Sequence, residues 1–136
     1  IMTNLYCIYT VVYLKENVMN TYFIYGMTSA DFASGMLTKP HDRLKTARAL
    51  ALQFNCEVVD FFYTNGAAFN FLVIARAESD EIIEAQKNIV LAAGSAQWVA
   101  WSRAFNAKEY QTIFETAKEG MASYVTSLEK ASEEKD

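Results

Sequence analysis

Residues 56–77, with the sequence CEVVDFFYTNGAAFNFLVIARA, decide the fold of this chain. The segment from Cys56 to Thr64 is rich in β-branched and aromatic residues, which predicts a strand. Ala68 to Ala77 predicts the returning strand. Asn65-Gly66 between them predicts a tight hairpin turn, because both residues tolerate positive φ. The returning strand is apolar without alternation from Phe71 to Ala75, so we expect both faces of its sheet to be covered.

On the amino-terminal side of this hairpin, the pattern predicts one more strand and a helix. Thr21 to Met27 is aromatic and β-branched, which predicts the strand, and Thr28 to Leu37 is rich enough in glycine and serine to predict a loop. The helix is indicated by apolar residues at helical spacing, with Asn55 as its carboxyl-terminal stop. These apolar residues are Leu44, Ala47, Ala51 and Phe54.

The carboxyl-terminal side predicts a helix, a strand and a last helix. Ser79 is the expected cap of the first of these helices, and Gly94 is its expected end. Ala96 to Phe105 predicts the fourth strand. Asn106 and Glu109 resemble a capping box that starts the last helix, and Gly120 is expected to kink or divide it. That helix carries a long apolar stripe, formed by Tyr110, Ile113, Phe114, Ala117, Met121, Tyr124, Val125 and Leu128.

The resulting order, β-α-β-β-α-β plus a terminal helix, predicts an α+β, ferredoxin-like domain with an antiparallel four-stranded sheet. Helices on one face leave the other face bare, and a second subunit is its expected cover, which would form a dimeric α/β barrel. The apolar stripe is an alternative contact surface. We expect a single domain over residues 19–136. Residues 1–18 are either an extension foreign to the natural protein or an extra strand, Leu5 to Leu14, that pairs with a sheet edge or reaches across a dimer.

Four segments, taken in order, resemble one protein family. They are Arg43-Leu44 with Ala47-Arg48, Phe61 to Gly66, Phe69 to Ile74, and Trp101 to Phe105 with Glu109. From Thr21 to about Lys118 the chain thereby resembles the GYD-domain family of small ferredoxin-like proteins. It departs from the naming motif, because Gly66 is followed by Ala67-Ala68-Phe69-Asn70 and the Tyr-Asp pair is missing. The resemblance implies a dimeric α/β barrel, a group that includes cofactor-free oxygenases and small-ligand binders.

Composition argues against several classes of function. The chain has 136 residues, of which 52% are apolar, and a net charge of −4 without a basic cluster, so we expect no nucleic-acid partner. No uncharged run reaches the ~20 residues that cross a bilayer, so we expect no membrane partner. One histidine and two distant cysteines, Cys7 and Cys56, argue against a metal or iron–sulfur site and favour the reduced cytoplasm. We therefore expect a cytoplasmic protein without a cofactor.

The aromatic content, with 9 Phe, 8 Tyr and 2 Trp, is high enough for some rings to line a pocket. His41 is either a general base or a solvated residue at a helix start. Arg76 and Arg103 either pair with Asp60 or Glu57 or hold the acid group of a ligand. The candidate ligand-binding residues, with no catalytic residue assigned, are Tyr25, His41, Tyr63, Asn70, Arg76, Trp101 and Arg103.

Three functions are consistent with this pattern. The first is binding of a small apolar or amphipathic molecule, aromatic or fatty-acid-like, in a pocket between sheet and helices. The second is a dimerising structural module whose rings serve only core and interface. The third is a cofactor-free enzyme similar to a monooxygenase, although no acid/base pair is visible in the sequence.

Overall fold

The computed structural model describes residues 19–133, so the predictions for Leu5 to Leu14 and for Cys7 lie outside the described residues. The strands are β1 (Asn20–Thr28), β2 (Glu57–Tyr63), β3 (Phe71–Ala77) and β4 (Ala96–Ala104). The helices between them are α1 (Ala30–Thr38), α2 (Arg43–Leu52) and α3 (Asp80–Ala92). The chain divides into two compact units, one ending at Ala104 and the other beginning at Phe105.

The strands of the first unit form one antiparallel sheet in the order β2-β3-β1-β4. This order confirms the predicted α+β, ferredoxin-like class, in which the first and third strands are central. Helix α2 lies over β2, and helix α3 lies over β4. Asn55, with φ of 52°, and Gly94, with φ of 76°, follow these two helices and end them as predicted.

Two predictions of local structure are wrong. Residues 28–37 are not a loop, because Ala30–Thr38 forms helix α1, which starts where the Ser29 side chain accepts a hydrogen bond from the Phe32 N–H. The connection at Asn65-Gly66 is not a tight turn with positive φ. It is a longer loop that the Thr64 hydroxyl closes by accepting from the Gly66 N–H and donating to the Phe69 carbonyl. In both segments a side-chain hydrogen bond to the backbone stabilises the observed conformation, and composition alone does not reveal such bonds.

Successive residues of β1 point to opposite faces of the sheet. Tyr22, Ile24 and Gly26 face the helices, where Tyr22 is fully buried. A Cβ atom at Gly26 would lie 2.2 Å from the Trp98 carbonyl oxygen and 2.8 Å from the Phe71 ring, so only glycine fits there. The opposite face, called the open face below, carries apolar side chains that include Phe23, 42% exposed, and Trp98, 38% exposed.

The second unit consists of helix α4 (Ala107–Gly120), a 3₁₀ turn (Met121–Ser123) and helix α5 (Ser127–Glu133). Asn106 and Glu109 form the predicted capping box at the start of α4. Gly120 ends that helix, as the sequence indicated. Large residues of the apolar stripe are exposed, among them Phe114 and Leu128. In the described part of the chain, no helix combines the length and apolar character that crossing a membrane requires.

Candidate functional site

A cavity of about 180 Å³ lies between the helix-facing side of the sheet and helices α1, α2 and α3. Each wall comes from a different element, so the fold itself positions the lining residues. The sheet contributes Ile24, Thr28, Val58, Phe61, Tyr63, Phe71, Val73, Ala75, Ala96 and Val99. The helices and the residues that flank them contribute Phe32, Arg43, Thr46, Ala47, Leu50, Cys56, Ile83, Gln86, Lys87, Val90 and Ser95.

The floor of the cavity, defined as Val58, Phe71, Ala75 and Ile83, is apolar and buried. Each of these residues is 8% exposed or less. The polar lining residues Thr46 and Tyr63 are exposed, and Arg43 is half-buried. An apolar floor beneath a few polar groups is the usual arrangement of a small-molecule site.

A column of stacked groups borders the polar end of the cavity. The Arg43 guanidinium lies 5.9 Å from the centroid of the Phe32 ring. The Phe32 ring stacks on Tyr63 with centroids 5.9 Å apart, and Tyr63 lies 4.9 Å from Phe61. Helix α1 is the element that brings Phe32 into this column, so the helix that composition did not predict is needed to complete the site.

The charges at the cavity are unequal. Lys87 is paired with Glu84 at 2.5 Å, which largely neutralises its charge. Arg43 has no carboxylate of the described residues within ion-pair distance. The described lining also contains no Asp or Glu. Arg43 is therefore the cation of the described lining that no carboxylate pairs with.

Two titratable groups of the lining are neutral at physiological pH. Burial raises the pKa of the Cys56 thiol, a change that the hydrogen bond from Gln86 partly opposes. Partial burial of the half-exposed Tyr63 ring also raises the pKa of its phenol, a change that the nearby Arg43 charge partly opposes and the nearby Asp42 charge adds to. The thiol thus adds to the apolar wall, and the phenol keeps its proton and can donate a hydrogen bond.

His41 does not line this cavity. It lies before the Asp42 cap of α2 and borders a second, more open recess together with Asp31, Met36 and Gly94. Its Nε2 accepts a hydrogen bond from Arg43 Nη1 at 3.2 Å, since a guanidinium only donates, and its Nδ1 then donates to the Lys39 carbonyl at 2.7 Å. The imidazole therefore supports Arg43 from the side of the second recess.

Trp101 and Arg103 face the helices but lie outside the cavity lining. The Trp101 indole N–H donates to Glu84 Oε2 at 2.6 Å. Arg103 Nη2 donates to Asn20 Oδ1 at 2.6 Å. The first contact joins β4 to α3 and the second joins β4 to β1, which indicates structural roles for Trp101 and Arg103.

Three further candidates also lie away from the cavity. Asn70 accepts from the Thr28 N–H and donates to the Thr28 hydroxyl, both at 2.9 Å, and so joins the segment before β3 to the end of β1. Tyr25 lies on the open face, with its hydroxyl 3.3 Å from Ser102 Oγ. Arg76 lies directly across from Glu57 on that face. Of the seven candidates, Tyr63 is the one that the cavity brings into its lining.

Sequence reasoning did not select Phe32, Arg43, Gln86 and Lys87 as site residues. A signal for most of them was present in the helix spacing. Residues 43, 46, 47 and 50 of α2, and 83, 86, 87 and 90 of α3, follow the i, i+3, i+4, i+7 pattern of one helix face. Polar residues in an inward-facing stripe indicate that the stripe borders a cavity.

The chain matches no protein-family model, no curated protein and no solved structure. The resemblance to the GYD-domain family therefore stays a prediction. In the described residues, no group of three or more His, Cys, Asp and Glu side chains is placed to hold a metal ion. The local chemistry of the cavity, an apolar floor with an arginine and a phenol at its polar end, is suited to binding a small molecule.

Proposed function

We propose that this protein binds a small molecule with an apolar body, aromatic or fatty-acid-like, in the cavity between sheet and helices. The observation that carries the proposal is the cavity itself, about 180 Å³ above a buried apolar floor. The lining is mostly apolar, so a ligand that fills the cavity would remove apolar surface from water and gain contacts with the buried floor.

A matched pair of substitutions on α2 tests this proposal. Ala47 lines the cavity, whereas Ala49 is exposed and does not line it. Ala47→Leu places a leucine side chain in the cavity and should abolish the binding of toluene, measured by NMR shifts of the floor methyl groups. Ala49→Leu should leave toluene binding unchanged. Native mass spectrometry of the purified wild-type protein would give the mass of any molecule that copurifies.

The stability of Ala47→Leu provides an independent check. If the space is available, the added side chain should leave the free energy of unfolding unchanged or raise it by up to ~1 kcal/mol. A loss of ~1–3 kcal/mol would mean that the site is already packed. That loss, or toluene binding that survives in Ala47→Leu, would refute the proposed function.

We also propose that the protein is a cytoplasmic homodimer formed through the open face. In support of the dimer, this face carries large exposed rings, Phe23, Phe62 and Trp98, while Glu57 and Arg76 lie toward the end of the sheet. Aromatic residues at the centre and charged residues at the rim are typical of protein interfaces. A two-fold axis would bury the same face on both copies.

The dimer is tested by sedimentation velocity over a range of concentrations. Phe23→Glu places a charge at the middle of the open face and should convert the dimer into a monomer. Ala49→Glu, on the exposed side of α2, should leave the mass unchanged. A wild-type protein that stays monomeric at all concentrations would exclude the dimer, and so would a Phe23→Glu variant that still pairs.

A further inference from the structure

We infer that the ligand of the cavity is an anion with a single aromatic ring, held by Arg43 at its charged group and by the apolar floor at its ring. This inference rests on the proposed function, because it names the ligand class of the same cavity. It narrows the choice between aromatic and fatty-acid-like molecules and adds a charge requirement.

The volume of the cavity favours one ring. A cavity of about 150 Å³ lined by aliphatic and aromatic side chains is large enough for benzene. Sites for drug-sized molecules begin at about 300 Å³. At about 180 Å³, this cavity matches one substituted ring, whereas a long alkyl chain would extend beyond it. The floor residues Phe71 and Ile83 supply flat and branched apolar surfaces against which such a ring packs.

The charges favour an anion. Arg43 is the lining cation without a carboxylate of the described residues in ion-pair distance, whereas Lys87 is already paired with Glu84. No Asp or Glu is present in the described lining, so a cationic ligand would find no carboxylate there to pair with and would meet Arg43 directly. The planar guanidinium suits a carboxylate because its N–H groups bind both oxygens at once.

The neighbours of Arg43 hold it in position for this task. His41 accepts one hydrogen bond from Nη1, and the Phe32 ring supports the guanidinium from one side. These contacts use one of the five N–H groups of the side chain in a hydrogen bond, so the others are available to a ligand. Tyr63, which stacks on Phe32, also lines the cavity.

Binding of three probes to the wild-type protein tests the inference, with NMR shifts of the floor methyl groups as the readout. The probes are 4-methylbenzoate, its neutral analogue 4-methylbenzamide, and decanoate. We expect 4-methylbenzoate to bind at least about tenfold more tightly than either of the others, because a charge-assisted hydrogen bond contributes that much or more. Arg43→Gln should weaken 4-methylbenzoate binding by about ten- to a hundredfold.

Arg48→Gln is the matched control, since Arg48 lies on the same helix, is exposed and does not line the cavity. It should bind 4-methylbenzoate as the wild type does. Toluene separates the inference from the proposed function, because it tests the cavity without the charge and also shows that Arg43→Gln is folded. Consider the result that toluene binds both the wild type and Arg43→Gln while 4-methylbenzoate binds the wild type no more tightly than 4-methylbenzamide, or less tightly than decanoate. In that case the inference is overturned and the proposed function stands. If neither toluene nor the benzoate binds the wild type, both are overturned.

Discussion

The hydroxyl group of Tyr22 offers the sharpest test of how the sheet and α3 are held together. Tyr22 is fully buried on β1, and its hydroxyl donates to Asp80 Oδ1 at 2.6 Å and accepts from Asn20 Nδ2 at 3.3 Å. Tyr22→Phe keeps the ring, which packs edge-on against Trp101 with centroids 5.7 Å apart, and removes only the hydroxyl. Any change in stability therefore reports the hydrogen bonds.

The expected loss at pH 7 is about 1–1.5 kcal/mol of unfolding free energy. A hydrogen bond to a charged group contributes ~1.5–3 kcal/mol, and the lower end applies here because Asp80 is exposed and water can replace the hydroxyl. Urea denaturation followed by tryptophan fluorescence measures this loss. Tyr25→Phe is the control, since its hydroxyl contact is on the open face and its loss should change stability by less than ~0.5 kcal/mol.

The same substitution should change the alkaline limb of stability. Burial, followed by the hydrogen bond to Asp80, raises the pKa of Tyr22 above 10.0. Below pH 10 both the folded and unfolded states hold the proton, so the contribution of the phenol is fully present. Above pH 10 the unfolded state releases its proton first, and wild-type stability falls by up to ~1.4 kcal/mol per pH unit until the folded phenol ionises. Tyr22→Phe should lack this part of the fall in stability with pH. Two results would refute the reasoning: an equal fall with pH in both proteins, or a loss of stability at pH 7 no larger than that of Tyr25→Phe.

Two further predictions concern α3 and the glycines. Hydrogen bonds from Lys87 and Trp101 lower the pKa of Glu84 below 4.5, so their stabilising contribution is present above that pH and is lost as the pH falls through the lowered pKa. Trp98→Phe leaves Trp101 as the single tryptophan, and its fluorescence should follow the titration of Glu84. Adding Glu84→Gln should remove this fluorescence transition. A transition that persists in the double variant would mean that another group titrates. Gly26→Ala should cost ~3 kcal/mol of unfolding free energy, the upper end of the usual cost of overpacking, because its Cβ would collide with the backbone. Gly35 lies in α1 with open space around it, so Gly35→Ala should raise the free energy of unfolding by ~0.5–1 kcal/mol. Urea denaturation measures both glycine variants, and similar effects of Gly26→Ala and Gly35→Ala would contradict the described packing.

The sheet and the two main helices were predictable because their apolar periodicity is long and agrees with the stop signals at their ends. Asn55 and Gly94 both adopt the positive φ that their positions suggested. Helix α1 was missed because Gly35 and three serine or threonine residues suggested a loop, while the Ser29 cap that starts the helix is a single side-chain contact. The Asn65-Gly66 turn was misjudged for the same reason, since the Thr64 hydroxyl stabilises a longer connection than the dipeptide favours.

Site residues were harder to predict than the fold, because residue type alone does not determine which face a side chain occupies. Trp101 and Arg103 were attractive as candidates for their chemistry, yet the Trp101 indole donates to Glu84 of α3 and Arg103 donates to Asn20 of β1. The open face holds Tyr25 and Arg76, which the alternation of a strand separates from the cavity by the thickness of the sheet.

Arg43 shows what additional information was needed. In the sequence it is one of several basic residues at the start of α2, with nothing to distinguish it from Lys45 or Arg48. Its position one turn before Ala47 places it on the face that borders the cavity, while Lys45 and Arg48 are exposed. Helix α1 then supplies the Phe32 ring that supports its guanidinium. The position of Arg43 at the cavity thus depends on the packing of α1 and α2, which the sequence pattern of either helix alone does not reveal.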